Sequence, residues 1–423
     1  MKLSLTIALC AFAGSAFADK MNLSQLEDGA AKHHPSLTAA KADLDIAIAQ
    51  RGSLMAPFQP QLSLNAYGAT GSGSMIFPGT VDPINYELLS SGSTGVLNGT
   101  LMWTFFSSGR DRALADSNTF LIRQKEASLL STSQSVVLAI RLAFADSLYK
   151  SEIVQAHIAA RESAQEVLRI SQARLEAGKI PEAFVLRAKA DVAKADKDIA
   201  LAQVDAEISE ASLWEASGFD QQSSKELGAW DVPLMSPTSK QEALKFAELH
   251  RLELVMVQAA VKQAKALGRA VDKSKLPELT LMAMNDYAGS RGTAGSNTYK
   301  AGLTLSFPVG DGGRRNSEKQ EWSAMVTKSE AELMGLRNKI EAEVASAWAE
   351  WFATSKVSAA AHAEVEASEE AYRVALIRYQ EGKSILSELT DSRSQLTHAR
   401  LSVAESSSYA RKAWSKLSRA MGK

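Results

Sequence analysis

The feature that most constrains the fold is a duplication at a constant offset of 204 residues. Arg174 recurs as Arg378, Gly178 and Lys179 as Gly382 and Lys383, Leu213 as Leu417, and Gly218 as Gly422. In the same register Gly109 and Arg110 recur as Gly313 and Arg314, so each copy holds 68 residues between its first two glycines. Neither stretch contains a proline, and Gly335 alone interrupts one of them. An unbroken helix of that length runs to roughly 100 Å at about 1.5 Å per residue. A single globular core needs nothing so long, so the pattern predicts elongated helical hairpins, made twice.

Periodicity supports the helices. Val136, Ile140, Phe144 and Leu148 sit four apart, and Ile340, Val344, Trp348 and Phe352 repeat the stripe at the same offset. Apolar stripes flanked by Ala, Ser, Lys and Glu suit helices packed side by side in a coiled-coil manner. All ten prolines fall outside the long stretches. Each half then reads as a shorter helical region, two strands, a long helix, a tight turn and a returning helix. The first repeat, 19–220, has helical Leu23 to Ala56, strands Gln61 to Thr70 and Val96 to Phe105 in a hairpin over 61–105, and helices Asp111 to Ala177 and Pro181 to Ser217 in a hairpin over 109–217. A linker covers 221–240. The second repeat, 241–423, has helical Gln241 to Lys275, strands Glu278 to Tyr287 and Thr298 to Phe307 over 278–307, and helices Arg314 to Glu381 and Ile385 to Ala420 over 313–420. Thr70 to Gly95 and Gly289 to Asn297, rich in Gly, Ser and Thr, read as exposed loops.

Residues 1–18 read as a secretory signal, with Lys2, an apolar run from Leu3 to Phe12, and Ala16-Phe17-Ala18 before Asp19. The one cysteine, Cys10, lies inside it, so the mature chain is expected to hold no disulfide and no cysteine-bound metal. Leu9 is too bulky for the position before a lipidated cysteine. After the signal the most apolar stretch is Ser135 to Ala145, which Arg141 interrupts, so no membrane-spanning helix is expected. The strands alternate: Leu97, Leu101, Trp103 and Phe105 oppose Asn98, Thr100 and Thr104, and Tyr299, Ala301, Leu303, Leu305 and Phe307 oppose Lys300, Gly302, Thr304 and Ser306. A membrane strand and a sheet beside a soluble core both show this alternation. If the strands enter lipid, four of them cannot close a barrel, and an open edge there leaves backbone groups unsatisfied. Three copies supply twelve strands. The expected fold class is therefore an internally duplicated α+β membrane protein, with long helices and a twelve-stranded β-barrel completed by a homotrimer.

Several motifs, in order and twice over, resemble the TolC family of outer-membrane efflux and secretion channels. They are RLEAGK at Arg174 to Lys179, RYQEGK at Arg378 to Lys383, FFSSGR at Phe105 to Arg110, FPVGDGGRR at Phe307 to Arg315, and the repeat endings at Gly218 and Gly422. The resemblance spans about Leu23 to Gly422. It implies a homotrimer in the outer membrane of a Gram-negative bacterium, in contact with its lipid, with a helical barrel in the periplasm. It implies that Arg174, Gly178, Lys179, Arg378, Tyr379, Gly382 and Lys383 form a tip where a periplasmic adaptor docks, and through the adaptor an inner-membrane transporter. Glu388 and Asp391 match acidic positions that ring the closed pore in the family. Where some members carry hydroxyl and carboxylate groups this chain has Ala183 and Phe184, and Ser384 stands where an arginine can occur, so Phe184 packing is expected to replace a polar latch. The implied function is the exit duct of a tripartite efflux pump. The outer-membrane component of a type I protein secretion system is the alternative, and a periplasmic coiled-coil scaffold a more distant one.

No enzyme, cofactor or nucleic-acid partner is expected. The six histidines, including the adjacent His33 and His34, lack zinc-site spacing. Ser147 and Lys150 fit a serine-x-x-lysine pattern but lie within a long helix without a partner motif. Gly310, Gly312 and Gly313 lack the Lys-Ser or Lys-Thr of a phosphate loop. With 47 basic and 48 acidic residues interspersed, there is no basic stripe for a nucleic acid.

Overall fold

The computed structural model describes residues 21–77, 84–219, 227–234, 237, 239–290 and 295–423. The proposed signal with Cys10, residues 221–226, 235, 236 and 238 of the linker and the centres of both strand connections lie outside the described residues. Among the described residues, eight α-helices and four strands follow in the order α1 Leu23–His33, α2 Pro35–Met55, β1 Gln61–Phe77, β2 Ile84–Phe106, α3 Arg110–Glu176, α4 Glu182–Ser217, α5 Lys240–His250, α6 Leu252–Lys273, β3 Glu278–Ser290, β4 Ser296–Ser306, α7 Arg314–Gln380 and α8 Leu386–Met421. The duplication is exact in length for the hairpins: α3 and α7 have 67 residues each, α4 and α8 have 36.

Two expected regions break where the sequence reading ran them together. α1 and α2 part at His34, whose ψ of 127° follows from the proline after it, since the residue before proline is driven out of the helical region. α5 and α6 part at Arg251 without any local breaker; ψ is 114° there. The cause is tertiary. Arg251 Nη1 donates to the Arg419 and Ala420 carbonyls at 3.3 and 3.2 Å, capping the open end of α8, and Nη2 meets Glu343 at 2.7 Å. The break also lets His250 approach Gly422, where a Cβ would stand 2.8 Å from the His250 carbonyl oxygen.

The expected loop Thr70 to Gly95 is also corrected. β1 and β2 stay paired through Thr70↔Ser93 and Gly71↔Gly92 and, after an irregularity before Gly73, from Gly73↔Leu88 to Phe77↔Ile84. Gly, Ser and Thr composition reads as a loop, but backbone pairing across the hairpin holds the same residues extended. β3 and β4 likewise reach Ser290 and Ser296.

The chain divides into two compact units. One contains residues up to Thr38, Ser131–Arg251 and Lys339–Lys423. Its core gathers Leu23, Leu26, Ala30, Val136, Ile140, Phe144, Leu213 and Trp214, with Trp230 packed against Phe144 and Trp414 at ring-centroid distances of 6.2 and 6.3 Å. α3 does contain a window long and apolar enough to cross a membrane by length and composition, contrary to expectation. Val136, Ile140 and Phe144 are buried in this core, although only 22% of the apolar window as a whole is buried within the chain. Ion pairs Lys150–Asp205 and Arg161–Asp196 tie α3 to α4, and Glu350–Lys416 and Glu369–Arg400 tie α7 to α8.

The other unit, Ala39–Leu130 and Leu252–Asn338, carries one antiparallel sheet of order β1-β2-β3-β4. Its register places Asn98 opposite Asn65 and Asp286, and Asp286 opposite Thr298, all on one face. Leu62, Leu64, Leu97, Leu101, Trp103, Leu281, Leu303 and Leu305 share the other.

Candidate functional site

In the sheet, burial is inverted relative to a soluble protein. Leu62 and Leu64 are each 72% exposed and Leu303 and Leu305 65% and 67%, whereas Asn98 is fully buried and Asp286 4% exposed. The buried face mixes the apolar Val96, Met284 and Ala288 with a polar cluster that satisfies itself: Asn98 Nδ2 donates to Asp286, Asn65 Nδ2 to Asn98 Oδ1 at 3.3 Å, and Thr100 Oγ1 to the same oxygen at 3.0 Å. A continuous apolar face of this size marks a surface meant for something other than water. β1 and β4 are the sheet's two outer strands, each without a second strand neighbour among the described residues.

The second constellation forms where the two helical hairpins turn. At the end of α3, Lys179 N bonds to the Arg174 carbonyl and Gly178 N to the Leu175 carbonyl, both at 2.8 Å. At the end of α7, Lys383 N bonds to the Arg378 carbonyl at 2.8 Å and Gly382 N to that of Tyr379 at 3.0 Å. These paired bonds are Schellman motifs, which need a left-handed residue; Gly178 and Gly382 supply it with φ of +69° and +79°. The repeated Arg-Gly-Lys spacing is thus the chemistry of a helix stop, used twice.

The structure brings the two turns together through Tyr379. Its side chain is buried with Val167, Ile170, Ala375, Leu386 and Leu389, and Phe184 packs onto the same cluster. The Tyr379 hydroxyl lies 3.0 Å from Ser171 Oγ; Arg174 Nη1 donates to the Tyr379 carbonyl at 2.7 Å, and its guanidinium stacks 4.8 Å from the ring centroid. Ser171, one serine among many on α3, carries no signal in a single sequence. Neighbouring Tyr372 has its phenol raised above the ordinary range by burial, an effect its hydrogen bond to Ser163 partly opposes. A second bridge, also unforeseen, joins the returning helices: Arg393 Nη2 to Asp191 Oδ2 at 3.0 Å, both mostly buried.

The two expected gate carboxylates differ. Glu388 accepts from Arg378 Nη1 at 3.2 Å and from Ser384 Oγ at 2.6 Å, so its charge is partly compensated within the chain. Asp391 is exposed. Lys383 pairs with Glu381 at 2.8 Å, and Gly178 and Lys179 stand exposed on the turn. Elsewhere, Ser147 donates to the Ser209 carbonyl at 3.0 Å and Lys150 meets Asp205 at 2.8 Å, so the serine-lysine pair fastens α3 to α4. Among the described residues no three potential metal ligands converge.

A duplicated chain with long helical hairpins and four strands, apolar outside and polar inside, defines the class of outer-membrane channel proteins. The model of the outer membrane efflux protein family matches residues 26–218 and 243–423, and the chain belongs to that family. The fold is similar to the outer-membrane channel OprN, with a TM-score of 0.79 and 20% identity over 95% of this chain and 89% of that one. It is similar to VceC of Vibrio cholerae, with a TM-score of 0.80 and 19% identity over 95% and 96%, and to CmeC of Campylobacter jejuni, with 0.77 and 17% over 96% and 86%. No curated protein sequence matches the chain. It is an outer-membrane efflux channel, an exit duct and a TolC-type protein, as its motifs implied.

Proposed function

We propose that three copies of this chain assemble into the duct, and that the duct works as the outer-membrane component of a tripartite pump, meeting a periplasmic adaptor and an inner-membrane transporter at its hairpin turns. The observation that carries the assembly is the sheet: an apolar exposed face, a buried face that holds the Asn98–Asp286–Thr100 polar cluster, and two edge strands with no second strand neighbour among the described residues. Unpaired edges in lipid cost several kcal/mol per backbone group, and three four-stranded sheets remove every edge. Lipid then covers the leucine face, and Asn98, Thr100 and Asp286 line the lumen.

At the turns, the exposed Gly178–Lys179 and Gly382–Lys383 corners are the adaptor contact. Tyr379, Arg174 and Phe184 hold the entrance closed beneath them, and Asp391 supplies its free negative charge. Placing Trp at Gly178 or Gly382 tests the docking assignment. Export by cells carrying the cognate transporter and adaptor should be abolished while trimer yield is kept; unchanged export by both variants would move docking elsewhere.

A further inference from the structure

A groove of about 670 Å³ runs along α8 where that helix lies between α3 and α7. It is lined by Val357 and Ala360 of α7, by the rings of Tyr149 on α3 and Tyr409 on α8, and by the carboxylates of Glu364 and Glu405. The volume is that of a site for a drug-sized molecule, and such sites combine mostly apolar walls with a few charged groups. All of these residues belong to the first of the two compact units.

Which charges find partners decides what the groove can hold. Lys412, the basic residue on its lining, is drawn to Asp146. Glu364 has His398 at 4.0 Å, and Glu405 is exposed without an ion-pair partner among the described residues. Two carboxylates are therefore left beside two tyrosine rings. Their field reaches the rings: the Tyr149 phenol is held above its ordinary range first by burial and next by Glu405. A carboxylate beside an aromatic face recognises a cation, through its charge and through the negative face of the ring. A small hydrated metal ion gains nothing from Val357 and Ala360, so the lining selects a cation that is itself apolar.

The groove opens on the uncovered side of the helices. On α8, Trp414 packs against Trp230 of the linker, and Glu405 is nine residues away, two and a half turns at about 3.6 residues per turn, hence on the opposite face. On α3, Phe144 meets the same Trp230, and Tyr149 is five residues on, about 140° round the helix. One side of this layer is thus covered by the linker and by Leu23 and Leu26 of α1, and the groove lies on the other. When three copies close a duct, the covered side is the outside, because the linkers and α1 helices of three chains would otherwise fill the bore. The groove then faces the passage.

The duplication shows that helix packing does not require these groups. At the offset of 204, Tyr409 corresponds to Asp205, Glu405 to Leu201, Glu364 to Ala160 and Tyr149 to Ala353. Helices of the same length are built without them. The pairing of two rings with two carboxylates is made once in the chain, at the place where a groove is present to use it.

We propose that this groove is a binding site for lipophilic organic cations on the wall of the duct, with Tyr149 and Tyr409 against the apolar body of the cation and Glu405 and Glu364 meeting its charge. The site rests on the trimeric duct reading above for its place in the bore, and goes beyond it by naming a class of cargo and the residues that hold it.

The test uses the detergent-solubilised protein and two planar dyes of similar size, ethidium, a cation, and fluorescein, an anion. Fluorescence polarisation should show saturable binding of ethidium and none of fluorescein. Glu405→Gln should weaken ethidium binding about ten-fold, as expected for one partly screened charge at close range, and adding Glu364→Gln should weaken it further. Ala360→Trp fills the groove and leaves the charges in place, so it should abolish binding while native mass spectrometry shows the wild-type number of copies. Ethidium binding that is unchanged in both Ala360→Trp and the double carboxylate variant overturns the site, as does equal binding of fluorescein. Planar-bilayer recording separates the site from the duct: ethidium should reduce the conductance of the wild-type protein and leave that of Ala360→Trp unchanged. A conducting pore that binds no ethidium overturns the site and leaves the duct standing. Protein that binds ethidium with the expected losses in the variants, yet forms no conducting pore, overturns the duct reading and supports the site.

Discussion

Replacing Arg174 by Ala should loosen the hairpin turns far more than replacing Tyr379 by Phe, although the tyrosine is the more buried residue. Arg174 makes two contacts with Tyr379, a charged hydrogen bond to the carbonyl at 2.7 Å and a stack on the ring at 4.8 Å. A hydrogen bond to a charged group contributes about 1.5–3 kcal/mol and a partly exposed cation–π contact about 0.5–1 kcal/mol, so the loss is about 2–4 kcal/mol per copy. Tyr379→Phe removes only the hydroxyl contact with Ser171, and Ser171 Oγ keeps its bond to the Val167 carbonyl at 2.8 Å. With neither partner left stranded, that change costs about 0.5–1.5 kcal/mol. At about 1.4 kcal/mol per factor of ten, local opening should rise roughly thirty-fold or more for Arg174→Ala and less than about ten-fold for Tyr379→Phe. Amide hydrogen exchange across residues 376–388 reads the opening directly, and planar-bilayer conductance reads its effect on the entrance. Arg174→Lys should fall between, since it keeps the charge but loses the planar group that stacks. Equal exchange in Arg174→Ala and Tyr379→Phe, or no change in the former, would refute the reasoning.

Two further outcomes follow from the same geometry. Leu303→Arg, on the exposed apolar face of β4, should cost about 2–4 kcal/mol in the membrane and cut outer-membrane yield, whereas Thr304→Arg, one residue on and facing the polar side, should insert normally; equal yields would show that the faces are assigned the wrong way round. Asp391→Asn should lower the cation preference of the closed trimer more than Glu388→Gln does, because Arg378 and Ser384 already engage Glu388; Glu388→Gln should instead raise basal conductance by weakening that contact. Equal loss of selectivity in both variants would count against the division of roles.

Much of the fold was legible because it repeats. Helix length, turn position and the glycines at Gly178 and Gly382 all follow from local chemistry stated twice, and the long hairpins begin and end within a residue or two of the expected places. The break at His34 was visible in Pro35 and should have been read there. The break at Arg251 was not, since its cause lies at the far end of the second repeat, in the carbonyls of Arg419 and Ala420. The outer parts of β1 and β2 are not legible in the sequence, because glycine and serine read as loop formers and composition does not show the cross-strand pairing that keeps them extended. At the turns, Tyr379 sits in the second turn motif, and Phe184 stands out because the chain departs there from the family pattern. Ser171, Asp191 and Arg393 carry no such mark: each lies on a long helix whose surface is full of similar residues, and only the superposition of helices selects which of them meet.

The most direct test of the account is the number of copies in the detergent-solubilised protein, measured by native mass spectrometry alongside its strand content by circular dichroism. The account predicts three copies of the chain with the sheet intact, because four strands with two open edges persist in lipid only when neighbours complete them. A monodisperse monomer that retains its full strand content would contradict it.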